Sequence, residues 1–199
     1  MAKDKENLIT KLERGRAEFA YKCVHSLVNP GENKAVLNIL QEVLEKNLKK
    51  DLNENKILKE KIKELLIFAH EFCNEEKYNS LSESERKVIN FYKKLIESYR
   101  SYVKKLPQMI LFNGLGQTLA FIYSKKEKGN AYEFIYSHIS QYLESECTAR
   151  ISKQRDKDLV EWVISLDSLE YRYVTEEVIA FLNWLRRFAE GMIEAGGEE

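Results

Sequence analysis

Apolar positions recur every three to four residues along most of the chain, the spacing that gives a helix one buried face. Leu8, Leu12, Phe19, Cys23 and Leu27 share such a stripe, with Gly15 filling one slot. They predict a first helix from about Lys5 to Val28, stopped by Asn29-Pro30-Gly31. Val36, Leu40, Val43 and Leu44 make a second stripe that fades into the polar run Lys49 to Lys56, and Leu58, Ile62, Leu65, Ala69 and Phe72 make a third. These two segments read either as one bent helix or as a helical hairpin, with Asn53 and Asn55 favouring a break.

Ser82 followed three residues later by Glu85 has the spacing of a capping box. The helix it opens carries Val88, Tyr92, Leu95, Tyr99 and Tyr102 or Val103 on one face. Pro107 disfavours a helical backbone at the residue before it, so that helix is expected to end near Leu106. A further helix then runs from about Gln108 to Lys125. From Met109 to Tyr123 it is apolar or small at almost every position, the composition of a helix at the centre of a bundle. Gly129-Asn130 breaks the chain, Asn130 and Glu133 offer a second cap, and Tyr132, Ile135, Tyr136, Ile139 and Leu143 repeat behind it. A short helix is expected from about Lys157 to Leu166, with Leu159, Val163 and Leu166 inward. The last is expected to start after Thr175, with Glu176 and Glu177 in its first turn, and to stop at Gly196-Gly197. The alternation Tyr171-Arg172-Tyr173-Val174 is too short to build a sheet. The reading is an all-α, single-domain helical bundle over residues 1–199, of six or seven helices with a central apolar helix.

Composition agrees. Of 199 residues only 2 are proline and 8 glycine, too few breakers for a many-stranded sandwich, and 44% are hydrophobic, too many for a disordered chain. Cys23, Cys73 and Cys147 are an odd set at wide spacing, which suits a reducing compartment better than a disulfide framework. The amino-terminal residues mix both charge signs without the apolar stretch of a secretory signal, and no apolar run approaches the roughly 20 residues that span a bilayer. A soluble, cytoplasmic protein is expected, with no membrane contact.

The 32 basic and 32 acidic residues give a formal net charge of zero, so any polyanion must be met by a local patch. One exists: residues 93–128 hold eight basic side chains against Glu97 and Glu127, a net +6 that the rest of the chain balances. Lys104-Lys105 and Lys125-Lys126 fall at the two ends of the expected central helix, roughly 30 Å apart if it is straight. A phosphate backbone could run between them with Tyr99, Tyr102 and Tyr123 nearby for stacking; ordinary solvation of helix ends is the alternative. Asn113 and Gln117 lie one turn apart with Gly114 and Gly116 between them. They either satisfy a neighbouring helix end or meet a ligand or partner. Arg186 and Arg187 follow Trp184, a pairing enriched at protein interfaces, although Glu190 and Asn183 stand at pairing distance along the helix. Arg14, Arg16 and Lys22 make a further basic group, offset by Glu13 and Glu18. His70 and Cys73 form an isolated pair rather than a zinc set, and His25 and His138 read as structural. No GxSxG, P-loop, HExxH or GxGxxG occurs, and no cofactor is expected.

Three blocks then identify a family. They are Leu12-Glu-Arg-Gly-Arg-Ala-Glu-Phe-Ala-Tyr21, the stretch from Tyr102 to Ile122 containing K-K-x-P-x-M-I-L-x-N-G-L-x-Q-T-L-A-F, and Thr175 to Ala189 closing on L-N-W-x-R-R-F-A, together 46 of the 199 residues. The chain resembles the small helical subunit of the type III-B CRISPR effector, the Cmr complex. Residues 31 to 90 carry no recognisable pattern and look like a family-atypical helical insertion within the domain. The resemblance implies a non-catalytic subunit that stacks with copies of itself in a minor filament, beside the backbone and large subunits, and helps hold the guide RNA and target RNA duplex. Target cleavage belongs to the backbone subunit, and DNA cleavage and cyclic oligoadenylate synthesis to the large one. On that reading Lys104, Lys105, Lys125 and Lys126 lie toward RNA. Arg16, Arg186 and Arg187 serve RNA or neighbouring subunits, and Asn113 and Gln117 are additional contacts. A protein-only scaffold whose basic patches meet acidic partners is the competing reading. A free-standing helical ribonuclease is disfavoured, since no general base is placed near a nucleophile or metal.

Overall fold

The computed structural model describes residues 8–48, 56–69, 75–145, 151–154 and 156–194. Among them are nine α-helices and one 3-10 turn, with no strand, so the all-α class holds while six or seven is an undercount. The helices are α1 (Leu8–Val28), α2 (Lys34–Asn47), α3 (Lys56–Ile67), α4 (Glu75–Asn79), α5 (Glu83–Asn113), α6 (Leu115–Lys125), α7 (Ala131–Glu144), α8 (Leu159–Ile164) and α9 (Ser168–Met192). The hairpin reading of the second and third segments is the right one, since α2 and α3 are separate; Asn53 and Asn55 lie outside the described residues. So do His70, Cys73, Cys147 and Gly196-Gly197.

α5 is the spine. Its 31 residues span ~46 Å, and α3, α6, α7 and α9 all pack on it, while α1 lies along α9 in the most extensive pairing of the molecule. The capping box is formed: the Ser82 hydroxyl accepts from the Glu85 amide, and the Glu85 carboxylate accepts from the Ser82 amide at 2.8 Å. Those bonds to Ser82, with Lys61 beside them, hold the Glu85 carboxyl down at about 2. Asn33, Asn130 and Asp158 cap α2, α7 and α8 through their side-chain oxygens. Buried residues from every long helix form one contiguous core.

Three expectations are corrected. α5 does not end at Leu106 but passes through Pro107 to Asn113. Proline costs a helix about 3 kcal/mol and one hydrogen bond, yet Leu106, Pro107 and Ile110 are all buried, and packing of that face outweighs the local preference. The break falls instead at Gly114, whose φ of 80° and ψ of 161° lie in a region that is essentially glycine-only. Second, the segment expected at the centre of the bundle is only half covered. Leu115, Thr118, Leu119 and Ile122 are buried, but Leu111 and Phe112 are 73% and 78% exposed, and Phe121 and Tyr123 reach solvent as well. Third, the last helix starts at Ser168, not after Thr175. Asp167 and Glu170 form a capping box there, and Thr175 donates instead to the Tyr171 carbonyl at 2.7 Å, one turn back in the helix interior.

His138 is a core residue, as expected of it, bonded through Nδ1 to the buried Tyr99 hydroxyl at 2.8 Å. Desolvation pushes its pKa down to about 4. The unfolded chain, with histidine near 6.5, therefore binds more protons between those values. This contribution to stability is intact above about pH 6.5 and falls by up to about 3 kcal/mol as pH drops toward 4. Urea midpoints across that range should show the decline, and a Tyr99→Phe, His138→Leu double variant should flatten it. At the bend, Gly114→Ala should cost about 1–3 kcal/mol in urea unfolding. Gly116→Ala should cost nothing, because its Cβ would meet only the Tyr171 hydroxyl at an ordinary 3.5 Å.

Candidate nucleic-acid interface

The bend at Gly114 decides where the charged side chains go. Tyr102 of α5 stacks on Tyr132 of α7 with ring centroids 4.3 Å apart, and Phe121 of α6 meets the same Tyr132 edge-on at 5.8 Å. Residues 102 and 121 thus lie at one level, so α6 folds back along α5. The separation of roughly 30 Å expected for a straight helix does not occur, because α6 runs back from the bend and Lys125 lines one cleft with Lys94 and Ser98.

Lys104, Lys105 and Lys125 are exposed. Lys104 approaches Glu190 of α9 at 3.8 Å, a surface pairing of small value; Lys105 and Lys125 have no ion-pair partner among the described residues. Lys126 is half-buried, its Nζ 4.5 Å from the Tyr123 ring centroid and 4.3 Å from that of Tyr136. It is therefore engaged in cation–π contacts rather than held out to solvent. Arg187 is exposed, with its guanidinium 5.4 Å over the Trp184 ring, and Arg186 is half-buried with an Nε–H that finds no acceptor in the chain. Glu190, expected beside Arg186, faces Lys104.

Asn113 and Gln117 flank the bend and are exposed, with no side-chain hydrogen bond among the described residues. They satisfy no neighbouring helix end. The group that approaches the two glycines is the Tyr171 side chain, whose hydroxyl accepts from the Gly116 amide at 2.9 Å. Beside them stand Leu111 and Phe112. Ile164 and Leu169, 71% and 79% exposed, flank the linker between α8 and α9.

Arg16 is held at the junction of α1 and α9. It is 15% exposed, and its Nε and a terminal nitrogen reach the two Glu177 carboxylate oxygens at 2.8 and 2.7 Å. Glu13 takes another of its nitrogens, Tyr142 donates to Glu177, and the Trp184 indole donates to Glu13 at 2.8 Å. The hydrogen bonds to Glu177 hold the Arg16 pKa above its ordinary value, and the Trp184 bond lowers that of Glu13. This guanidinium joins α1 to α9.

Among the described residues no group of three or more histidine, cysteine or acidic side chains is placed to hold a metal ion, and no helix is long and apolar enough to cross a membrane. Cys23 is buried and free, its thiol pushed up to about 12 by desolvation. Lys46 of α2 was not singled out in the sequence, because only folding brings α2 and α5 to one cleft; Lys94 and Lys128 entered only as part of the basic segment.

Residues 73–192 match the model of a family described as CRISPR-associated protein (Cas_Cmr5). A protein of Thermus thermophilus named CRISPR system Cmr subunit Cmr5 is 32% identical over 97 residues, 48% of this chain and 75% of that protein.

Removing one partner of a buried ion pair strands the other, at about 3–5 kcal/mol, whereas replacing both with apolar residues is often neutral. Arg16→Met should lower the urea unfolding free energy by that amount, and Arg16→Met with Glu177→Leu should recover most of it.

Proposed function

The chain belongs to the Cas_Cmr5 family of CRISPR-associated proteins, and from that membership we propose that it is a non-catalytic small subunit of a type III-B Cmr ribonucleoprotein. In this reading it stacks with copies of itself in a minor filament and helps hold the guide–target RNA duplex through a basic flank. It contacts the backbone and large subunits and works in the cytoplasm. Of residues 31 to 90, the added segment in this reading is the part before residue 73, because residues 73–90 fall inside the family match.

The observation that carries the RNA reading is the set of exposed lysines lacking partners, Lys105 and Lys125 above all, within a +6 segment of a chain whose net charge is zero. Such lysines hold phosphates without reading bases, which suits a subunit that must accept any guide. Lys104 and Lys126 belong to the same flank. The filament reading draws on the other exposed group: Leu111 and Phe112, with Asn113 and Gln117 beside them, are the kind of large uncovered apolar residues that mark a protein-binding surface. Arg187 over the Trp184 ring, a pairing enriched at protein interfaces, favours the protein-only scaffold as the second reading.

Lys104→Gln together with Lys105→Gln should weaken target-RNA binding by the assembled complex and reduce the log–log salt slope by roughly one to two units. An unchanged slope removes these lysines from the RNA face. A protein–RNA crosslink map of the assembled particle separates the two readings. Crosslinks on α5 and α6 support the RNA flank, and a map in which this subunit is bare leaves the scaffold.

A further inference from the structure

An open cleft of about 830 Å³ lies between α2, α5 and the turn from α6 to α7, a size within the roughly 300–1,000 Å³ of sites that enclose small ligands. Lys46 of α2, Lys94 of α5, Lys125 and Lys128 line it. Lys128 is neutralised by Glu42 at 2.6 Å. Lys46, Lys94 and Lys125 have no ion-pair partner among the described residues. The wall between them carries the half-buried rings of Phe91, Tyr102 and Tyr132.

The cleft is built rather than incidental. Gly129, at φ +76°, lies so close to Val43 that a Cβ there would fall 2.7 Å from the valine Cγ2, so a glycine is required where α2 meets the turn. The Lys128–Glu42 pair fastens the same junction. α2 also lies outside residues 73–192, so the cleft joins the part of the chain that matches the family model to a part that does not. Its charge does not stop at the rim. Lys94 and Lys105 are eleven residues apart, close to three helical turns, which puts them on one stripe of α5 ~16 Å apart.

We propose that this cleft binds single-stranded RNA, with Lys46, Lys94 and Lys125 on phosphates and the rings of Phe91, Tyr102 and Tyr132 against unstacked bases. Partnerless cations beside aromatic rings are the combination that serves an unpaired strand. A duplex keeps its bases stacked inside and would leave the rings unused. An acidic peptide would satisfy the lysines but gives the rings no comparable flat partner. The proposal rests on the reading of an RNA-facing flank, because Lys125 belongs to both surfaces and Lys105 shares the stripe of α5 that carries Lys94, and it adds a separate place for unpaired nucleotides.

The test uses the purified full-length chain and a fluorescein-labelled single-stranded RNA of mixed sequence, titrated between about 50 and about 200 mM salt. Lys46→Glu with Lys94→Glu should weaken binding at least about tenfold and lower the log–log salt slope by about 1.4, or 0.7 for each lost phosphate contact. Tyr132→Leu should weaken it about fivefold or more, while Tyr132→Phe, which keeps the ring and the packing, should bind as the parent does. Two results overturn the proposal: charge-reversed chains that bind as the parent does, or a parent that binds inorganic polyphosphate or an oligoglutamate as tightly as RNA with no loss in Tyr132→Leu. The same cleft variant in the assembled particle keeps the two readings apart. Loss of single-strand binding with the duplex still held supports the cleft on its own. Intact single-strand binding, in a particle that loses the duplex only through Lys104 and Lys105, keeps the flank and overturns the cleft.

Discussion

Glu177 sits in the middle of α9 with 4% of its surface exposed, and a carboxylate cannot be taken out of water at tolerable cost without a counterion and filled hydrogen bonds. Arg16 supplies the charge from α1, 161 residues away in sequence, with two bonds in the fork-to-fork geometry that only arginine offers. Tyr142 supplies a further donor from α7. Three helices must therefore be in register before any one of them is comfortable. Around that point the packing is aromatic: Tyr142 lies flat on Phe181 with centroids 4.1 Å apart, and Phe19 meets both rings edge-on. By the ordinary energetics of buried pairs this arrangement adds little net stability over an apolar substitute. Its effect is on uniqueness, because a slip of α1 along α9 would strand the carboxylate.

The second constraint is the reversal at Gly114. A helix that continued straight would carry Lys125 far from Lys94. Folding α6 back onto α5 instead assembles one basic region from residues thirty positions apart in sequence. The reversal also explains why the apolar run from Met109 to Tyr123 is not enclosed. A chain that turns on itself has an outer side at the turn, and Leu111 and Phe112 are on it. Exposed side chains of that size are uncommon on a surface that meets only water. Asn113 and Gln117, with no side-chain hydrogen bond among the described residues, stand on the same outer side.

Where the sequence was legible, the signal was local. The Ser82–Glu85 and Asn130–Glu133 spacings fix helix starts because a cap needs only four residues. Stripes such as Val88, Tyr92, Leu95, Tyr99 and Val103 specify a buried face for the same reason. The errors came where a local preference met a distant contact. Pro107 argued for an end, but the packing around Leu106 and Ile110 holds the helix through it. Asp167-Ser-Leu-Glu170 has the same capping-box spacing as Ser82–Glu85, and it opens the last helix ahead of Thr175. Arg16 looked like part of a basic group, because nothing nearby in sequence announces that Glu177 would be buried against it. The family blocks were readable for their length, yet they say nothing of α2, and so the lysine of α2 that faces α5 had no sequence signal at all.

Zero net charge becomes informative once the positive segment is placed. A strongly cationic subunit would bind nucleic acid through its long-range field, and in a proposed filament every copy would repel the next. This chain concentrates +6 in residues 93–128 and balances it elsewhere. Attraction to a polyanion then operates only within about a Debye length, roughly 8 Å at physiological ionic strength, of one flank. Adjacent copies can approach through other surfaces without that penalty. On the proposed reading such a distribution would make binding along a stack additive and stronger than binding by one chain, because each copy would contribute a few phosphate contacts and none many. Affinity for RNA would then depend on assembly, which is the property wanted in a subunit whose contacts carry no sequence preference of their own.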